Sequence, residues 1–290
     1  MNTFYAIDGN NLFHRAAHTN TDMTSSDGTN TGPLTVFCSM IHSIRRDFSP
    51  DMIMVAFDTG GRGGRNDLYP EYKAHRADHE EIDAQIPLAI GAVQAMGLSV
   101  VTHDDFEADD VIATYVRDAE AAGYSVTIVS SDKDLLQLCS DNVMRLTTGF
   151  GANTWYGPEE VTAKYGVPPA RMGDLLALMG DKSDNVPGVK GIGPKTAAAL
   201  LQEYGDLEGV LTAAPSIKQE KRKDNLLNGS GDARLSRQLV ELREVPMSHH
   251  VEEFADLGYD MDCASEFFDP LEMYSVLTSL EVDLTRSQPS

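Results

Sequence analysis

The feature that most narrows the fold is an alternation in the first half of the chain. Four short apolar runs, TFYAIDG (3–9), MIMVAFD (52–58), LSVVTH (98–103) and YSVTIVSSD (124–132), have the length and the Val, Ile, Phe and Tyr content of buried strands. Helical patterns lie between them, from Leu34 to Phe48, Ile82 to Met96 and Ala108 to Ala122, with a short one after Ser131. Alternating strands and helices predict an α/β fold, a mostly parallel sheet flanked by helices. In such sheets ligands gather at the carboxyl ends of the strands.

Those ends are acidic. Asp8 closes the first run, Asp58 the second and Asp132 the fourth, with Asp134 two residues on, while Glu107, Asp109 and Asp110 open the helix after the third. One carboxylate at a helix start is explained by capping and the helix dipole. So many at one sheet edge are not, because crowded like charges raise each other's pKa unless cations neutralise them. An oxygen-only donor set favours Mg²⁺ or Mn²⁺ over Zn²⁺. No HExxH pattern occurs, and the adjacent His249 and His250 stand in an acidic tail. Two hard ions about 4 Å apart can activate water against a phosphodiester.

The stretch GDKSDNVPGVKGIGPKTA (180–197) adds a second chemistry. Asp181 and Asp184 are three apart, a spacing common on solvated helix faces and informative only because a glycine- and lysine-rich turn comes directly after it. Gly188, Gly191 and Gly193 allow a tight turn and close approach of another chain. Pro194 suits a first helical position, with Lys195 and Thr196 in the first turn. Amides at that helix start, beside Lys190 and Lys195, suit the phosphates of a nucleic-acid backbone. An ordinary helix-hairpin connection is the plainer alternative. No base-reading group is present, so binding would be independent of sequence. The pattern GxxxxGK[ST] of a P-loop is absent.

The formal net charge of -22 argues against nucleic acid only if the charge is evenly spread. It is not. Glu241 to Ser290 holds twelve acidic residues against two arginines, whereas Thr59 to Arg76 holds four basic residues against two acidic ones. The three cysteines, Cys38, Cys139 and Cys263, lie far apart, which argues against a disulfide framework or structural zinc and fits a reducing interior. No signal-peptide pattern or membrane-length apolar run is present, so a cytoplasmic protein is expected. After Trp155 the pattern turns helical, with proline-started turns, a basic run KQEKRK (218–223) and no strong strand.

In order and separation, YKAHR, EADDVIA, SSDKDLLQL and GDKSDNVPGVKGIGPKTA resemble the 5′-nuclease family. This family includes the 5′→3′ exonuclease domain of bacterial A-family DNA polymerases and the stand-alone phage 5′-exonucleases and flap endonucleases. The resemblance runs from about Phe4 to Thr278. It implies a PIN-like core over 1–156 with a helical arch at about 59–82. It further implies a helix-hairpin-helix (H3TH) DNA-binding subdomain over 157–245 and an acidic C-terminal segment over 246–290 packed on the core. The implied metal ligands are Asp8, Asp58, Glu107, Asp109, Asp110, Asp132, Asp134, Asp181 and Asp184. Asp58, Glu107, Asp109 and Asp110 would serve one ion, and Asp132, Asp134, Asp181 and Asp184 the other. Arg15, Lys73 and Arg76 match basic positions near the scissile phosphate. Arg65 would meet phosphate and Tyr72 would stack on a base. Lys190, Gly191, Gly193, Lys195 and Thr196 would grip duplex DNA, with carbonyls at Val189 and Ile192 holding K⁺.

The expected activity is divalent-metal-dependent 5′→3′ exonuclease and 5′-flap endonuclease cleavage of DNA, with RNA in RNA–DNA hybrids as a secondary substrate and a monomer as the working unit. No polymerase sequence is present after this region, so a stand-alone enzyme and an isolated domain both remain open. A PIN-type ribonuclease leaves Asp181, Asp184 and the hairpin unexplained. A non-catalytic DNA scaffold would be expected to lack ligands, and all nine acids are present.

Overall fold

β1 (Thr3–Asp8) runs through the middle of a six-stranded sheet of order β3-β2-β1-β4-β5-β6. The structure, a computed structural model, describes residues 2–19, 22–74, 79–149 and 152–287. β2 (Met52–Asp58), β3 (Ser99–His103) and β4 (Ser125–Val129) are parallel to β1, at the positions the apolar runs predict. β5 (Val143–Thr147) continues the parallel set and β6 (Thr154–Tyr156) closes it antiparallel. Neither is expected from the sequence. β5 carries Arg145 at its centre, and β6 is too short for any alternation to register.

The chain leaves β1 in one direction to β2 and β3, then returns to add β4 on the other side. Order therefore reverses between β1 and β4, and a crevice opens at their carboxyl ends, where ligands bind in sheets of this kind. Along β1, Phe4 and Ala6 enter one core while Tyr5 and Ile7 enter the other, so both faces are buried.

One face is covered by α1 (Gly9–Ala17), α2 (Gly32–Phe48) and helices from distant parts of the chain. The helical pattern expected over 82–96 is two helices around a break. After α3 (Arg65–Leu68) come α4 (Glu80–Asp83) and α5 (Ile86–Ala95), and Pro87 in the first turn of α5 restarts the helix. Among the described residues of the expected arch, α3 and α4 are the only α-helical pieces, each of four residues. α6 (Ala108–Ala121) covers the opposite face with Val111, Ile112 and Val116.

A third core belongs to α7 (Pro158–Tyr165), α8 (Met172–Met179), α9 (Pro194–Tyr204), α10 (Leu207–Ala213), α11 (Glu220–Asn228) and α12 (Ser230–Leu239). Val189 and Ile192 are buried in it and anchor both sides of the hairpin before α9. α13 (Met261–Phe268) and α14 (Tyr274–Ser287) return to the first core, where Phe268 and Leu280 are fully buried.

The loop between α8 and α9 is closed on itself. Asp181 and Val186 exchange backbone hydrogen bonds, and Gly180 and Gly188 touch across the neck. Gly188 has φ +62, and a Cβ there would lie 2.3 Å from the Gly180 nitrogen. Gly188→Ala is therefore expected to cost about 2–3 kcal/mol in urea unfolding, whereas Gly231→Ala, where a Cβ meets nothing, should not destabilise.

Candidate active site

The crevice is built from short polar links. Asp8 caps α1 by accepting from the Asn11 amide (2.9 Å), and its other oxygen accepts from Ser130 Oγ (2.8 Å) just beyond β4. Ser130 Oγ in turn accepts from the Asp132 amide (3.0 Å), and Asp132 accepts from the Asp134 amide (2.9 Å). Asn11 Oδ1 accepts from both the amide and hydroxyl of Ser131. Asp58 accepts from the Ala108 amide (2.7 Å), which ties the end of β2 to the start of α6 and brings Asp109 toward the same edge. Five carboxylates, Asp8, Asp58, Asp109, Asp132 and Asp134, thus converge from four segments.

Their electrostatics are unfavourable without a cation. Burial lifts Asp8 to about 7, opposed by its hydrogen bonds from Asn11 and Ser130 and reinforced by Asp132 and Asp58. Burial also raises Asp58, and lifts Asp109 and Asp134 well above the ordinary carboxylate range, with Asp132 the strongest charge acting on both. Asp132 is the common neighbour. Asp134 Oδ1 is buried with no hydrogen-bond partner. An all-oxygen, desolvated, mutually repelling set with an orphaned acceptor fits hard divalent ions. Among the described residues, though, no three His, Cys, Asp or Glu side chains already form a coordination shell.

The remaining acids are held by the chain's own cations. Glu107 accepts from Lys73 Nζ (2.5 Å) and from the Tyr72 hydroxyl (3.1 Å), with Arg65 Nη1 at 3.1 Å. Asp181 accepts from Lys133 Nζ (2.5 Å) and, on its other oxygen, from the amide and hydroxyl of Ser183. Burial works against the Asp181 carboxylate, but Lys133 and Ser183 outweigh it and hold its pKa low. Asp184 lies 3.8 Å from Lys73 Nζ, and its carbonyl accepts from the Lys73 amide. Lys73 and Asn185 both adopt left-handed backbone, at φ +58 and +56, where residues 71–74 meet residues 184–185.

Three expectations need correction. Arg65 is only 2% exposed and directs its donors to Asp110, to the carbonyls of Leu239 and Glu241, and to Arg62, so it has no access to phosphate. Asp110, fully buried, takes Arg65 on both oxygens (2.7 and 2.8 Å) and also the Arg243 amide, which leaves it a structural counterion and not an ion ligand. Tyr72 is buried with its hydroxyl on Glu107, so its ring offers no face to a base. Arg76 lies outside the described residues. Arg15 donates to the hydroxyl and carbonyl of Thr148 and lines a cavity of about 450 Å³ beside α2.

On the hairpin, Lys190, Gly191 and Lys195 are exposed and Gly193 and Thr196 half-buried. Sequence reasoning missed Ser130, Asn11 and Lys133, whose roles depend on partners from other segments. It also missed His14 and His18, four apart on α1, whose rings face His79 at 5.4 and 5.8 Å while His14 Nε2 lies 2.9 Å from Asp83. The i, i+4 histidine spacing was the available signal.

Residues 3–166 match the family model described as 5'-3' exonuclease, N-terminal resolvase-like domain, and residues 167–262 match the 5'-3' exonuclease, C-terminal SAM fold. The chain belongs to the 5′-3′ exonuclease family. It is a nuclease of that family, and its relatives include DNA polymerase I of Rhizobium leguminosarum, 46% identical over 84% of this chain. DNA polymerase I of Bacillus caldotenax is 36% identical over 95% of it. The chain spans 25% and 32% of the length of these two polymerases. Among solved structures, the 5′-exonuclease of bacteriophage T5 with zinc bound shares the fold with a TM-score of 0.69 and 23% identity, covering 98% of each chain. The catalytic core of Rad2 with a DNA substrate does so at 0.63 and 16%, covering 96% of this chain and 92% of that one.

Two outcomes are expected from the geometry. The pKa of Asp8 is raised in the folded chain, so its ionisation destabilises the fold progressively as pH rises from about 4 to about 7. In EDTA, Asp8→Asn should melt about 3–8 °C above the unsubstituted chain at pH 8 and converge with it near pH 4. Arg65→Met, which strands Asp110, should cost about 3–5 kcal/mol in urea unfolding, with much of this regained on adding Asp110→Asn.

Proposed function

We propose that the chain is a divalent-metal-dependent 5′→3′ exonuclease and structure-specific 5′-flap endonuclease. In this reading it acts as a monomer on flapped, nicked or 5′-ended DNA in the cytoplasm of a bacterial cell or phage-infected host. The observation that carries the proposal is the set of raised, mutually repelling carboxylates around Asp132, with the orphaned acceptor on Asp134. Asp8, Asp58 and Asp109 would hold one ion, joined by Glu107 when Lys73 moves off it. Asp132 and Asp134 would hold the other, with Asp181 and Asp184 beside them. A bound pair of Mg²⁺ or Mn²⁺ would activate water and offset the charge that develops on the phosphate.

The chain's own groups do the rest. The 180–188 loop fixes Asp181 and Asp184 against the crevice. Lys73, pinned by its backbone to Asp184, places a positive charge beside the reacting phosphate. Arg15, in the last turn of the helix that Asp8 caps, would border the path of the departing strand. At the hairpin, Gly193 has room for a side chain and an ordinary φ of -97, so this fold does not itself require glycine there. Close approach of a DNA backbone supplies the requirement. Exposed amides, Lys190, Lys195 and Thr196 meet that backbone at the start of α9. The carbonyls of Val189 and Ile192, on the anchored side of the turn, suit a K⁺ ion shared with phosphate. Because the hairpin meets backbone and not bases, RNA–DNA hybrids fall within the proposed substrate range.

A 5′-labelled flap incubated with Mg²⁺ or Mn²⁺ should be cut near the single-strand/duplex junction and left intact in EDTA. Asp132→Ala should reduce cleavage by about 10³-fold or more while flap binding changes by less than about threefold. Lys195→Ala should instead weaken binding and lower the slope of log affinity against log salt by about one. Normal cleavage by Asp132→Ala would overturn the reading.

A further inference from the structure

Lys133 stands between Asp132 and Asp134 in the sequence, yet its side chain reaches across to the loop after α8. There its ammonium donates to Asp181 at 2.5 Å. The other Asp181 oxygen is already taken by Ser183. Lys133 is 28% exposed, so it sits at the mouth of the crevice and not beneath it. Around it lie Asp132, Asp134 and Asp181, all three of which favour its charge.

We propose that Lys133 is an exchangeable internal counterion, holding at Asp181 the place that the second divalent ion must take and released toward solvent when that ion binds. The proposal rests on the metal-dependent reading above. Four carboxylates, Asp132, Asp134, Asp181 and Asp184, face this side of the crevice. Lys133 lies against Asp181, while Lys73, whose close contact is with Glu107, stands 3.8 Å from Asp184. A divalent ion drawn to Asp132 and Asp134 gains their attraction without displacing either ammonium. To engage Asp181 it must break the 2.5 Å contact with Lys133, so its net affinity is reduced by the attraction it replaces. An ion held by Asp8, Asp58 and Asp109 alone, without the Glu107 that Lys73 holds, would face no exchange with Lys133 and would fill first. Once released, the Lys133 ammonium carries three donors on a flexible stem at the rim where a phosphate arrives. Loss of one contact and gain of the other would couple the second ion to the presence of DNA.

The test measures Mn²⁺ binding to the full chain without DNA, by electron paramagnetic resonance of the free ion. The expected result is two classes of site in the unsubstituted chain. In Lys133→Met and Lys133→Gln the weaker class should tighten about tenfold and the stronger stay within about twofold. Asp181→Asn should not show that tightening when combined with Lys133→Met. A second readout needs no substitution: acetylation of Lys133 by an N-hydroxysuccinimide ester, followed by mass spectrometry, should rise several-fold on adding Mg²⁺. Two sites with constants unchanged in both Lys133 variants, and constant acetylation, would overturn the counterion role and leave the metal reading intact. Weaker second-site binding in the variants would overturn it too, since Lys133 would then be positioning Asp181 for the ion. No Mn²⁺ bound by any form would overturn the metal reading itself.

Discussion

Repulsion among buried carboxylates at the reversal between β1 and β4 is the constraint to which the rest of the molecule answers. Asp8 and Asp132 are brought together because parallel strands end at the same edge, and Ser130 links them directly. A fold that placed these acids there for stability alone would gain nothing, since burial and the charge of neighbouring carboxylates raise the pKa values of Asp8, Asp109 and Asp134. The surrounding architecture limits the penalty. Helix N-termini supply amides to Asp8 and Asp58, and lysines from neighbouring segments neutralise Glu107 and Asp181.

The same constraint explains why basic residues near the crevice divide into two kinds. Arg65 is buried and bidentate, and its planar fork satisfies Asp110 while also donating to three carbonyls. Lys73 and Lys133 are ammonium groups on acids around the crevice, Lys73 between Glu107 and Asp184 and Lys133 on Asp181. A guanidinium is suited to a permanent joint, and an ammonium on a flexible stem to one that can be exchanged.

The central strands and their acidic ends were legible because both signals are local, an apolar run of strand length and the residue that ends it. β1 to β4 lie where those runs predict, and Asp8 and Asp58 are the last residues of their strands. β5 and β6 were not legible, because a strand held by its neighbours can carry Arg145 at its centre or shrink to three residues. The fates of Arg65 and Tyr72 were hidden for a different reason. Whether a basic or aromatic residue meets solvent depends on what packs over it, and Arg65 is covered by a carbonyl 174 positions away. Lys133 was overlooked inside its own motif because its partner, Asp181, is 48 residues on and across the crevice.

Arg65 has a mechanical consequence. One guanidinium joins the segment after β2, the first turn of α6 and the carbonyls at the end of α12. Lys73 and Asn185 add a second fastening between the same segment and the loop before the hairpin. The helices that would grip a duplex are therefore braced against the sheet at two separated points. A duplex seated on the hairpin would meet the carboxylates at a fixed offset, so the molecule would work as a ruler, measuring its cut from the point where it holds the helix.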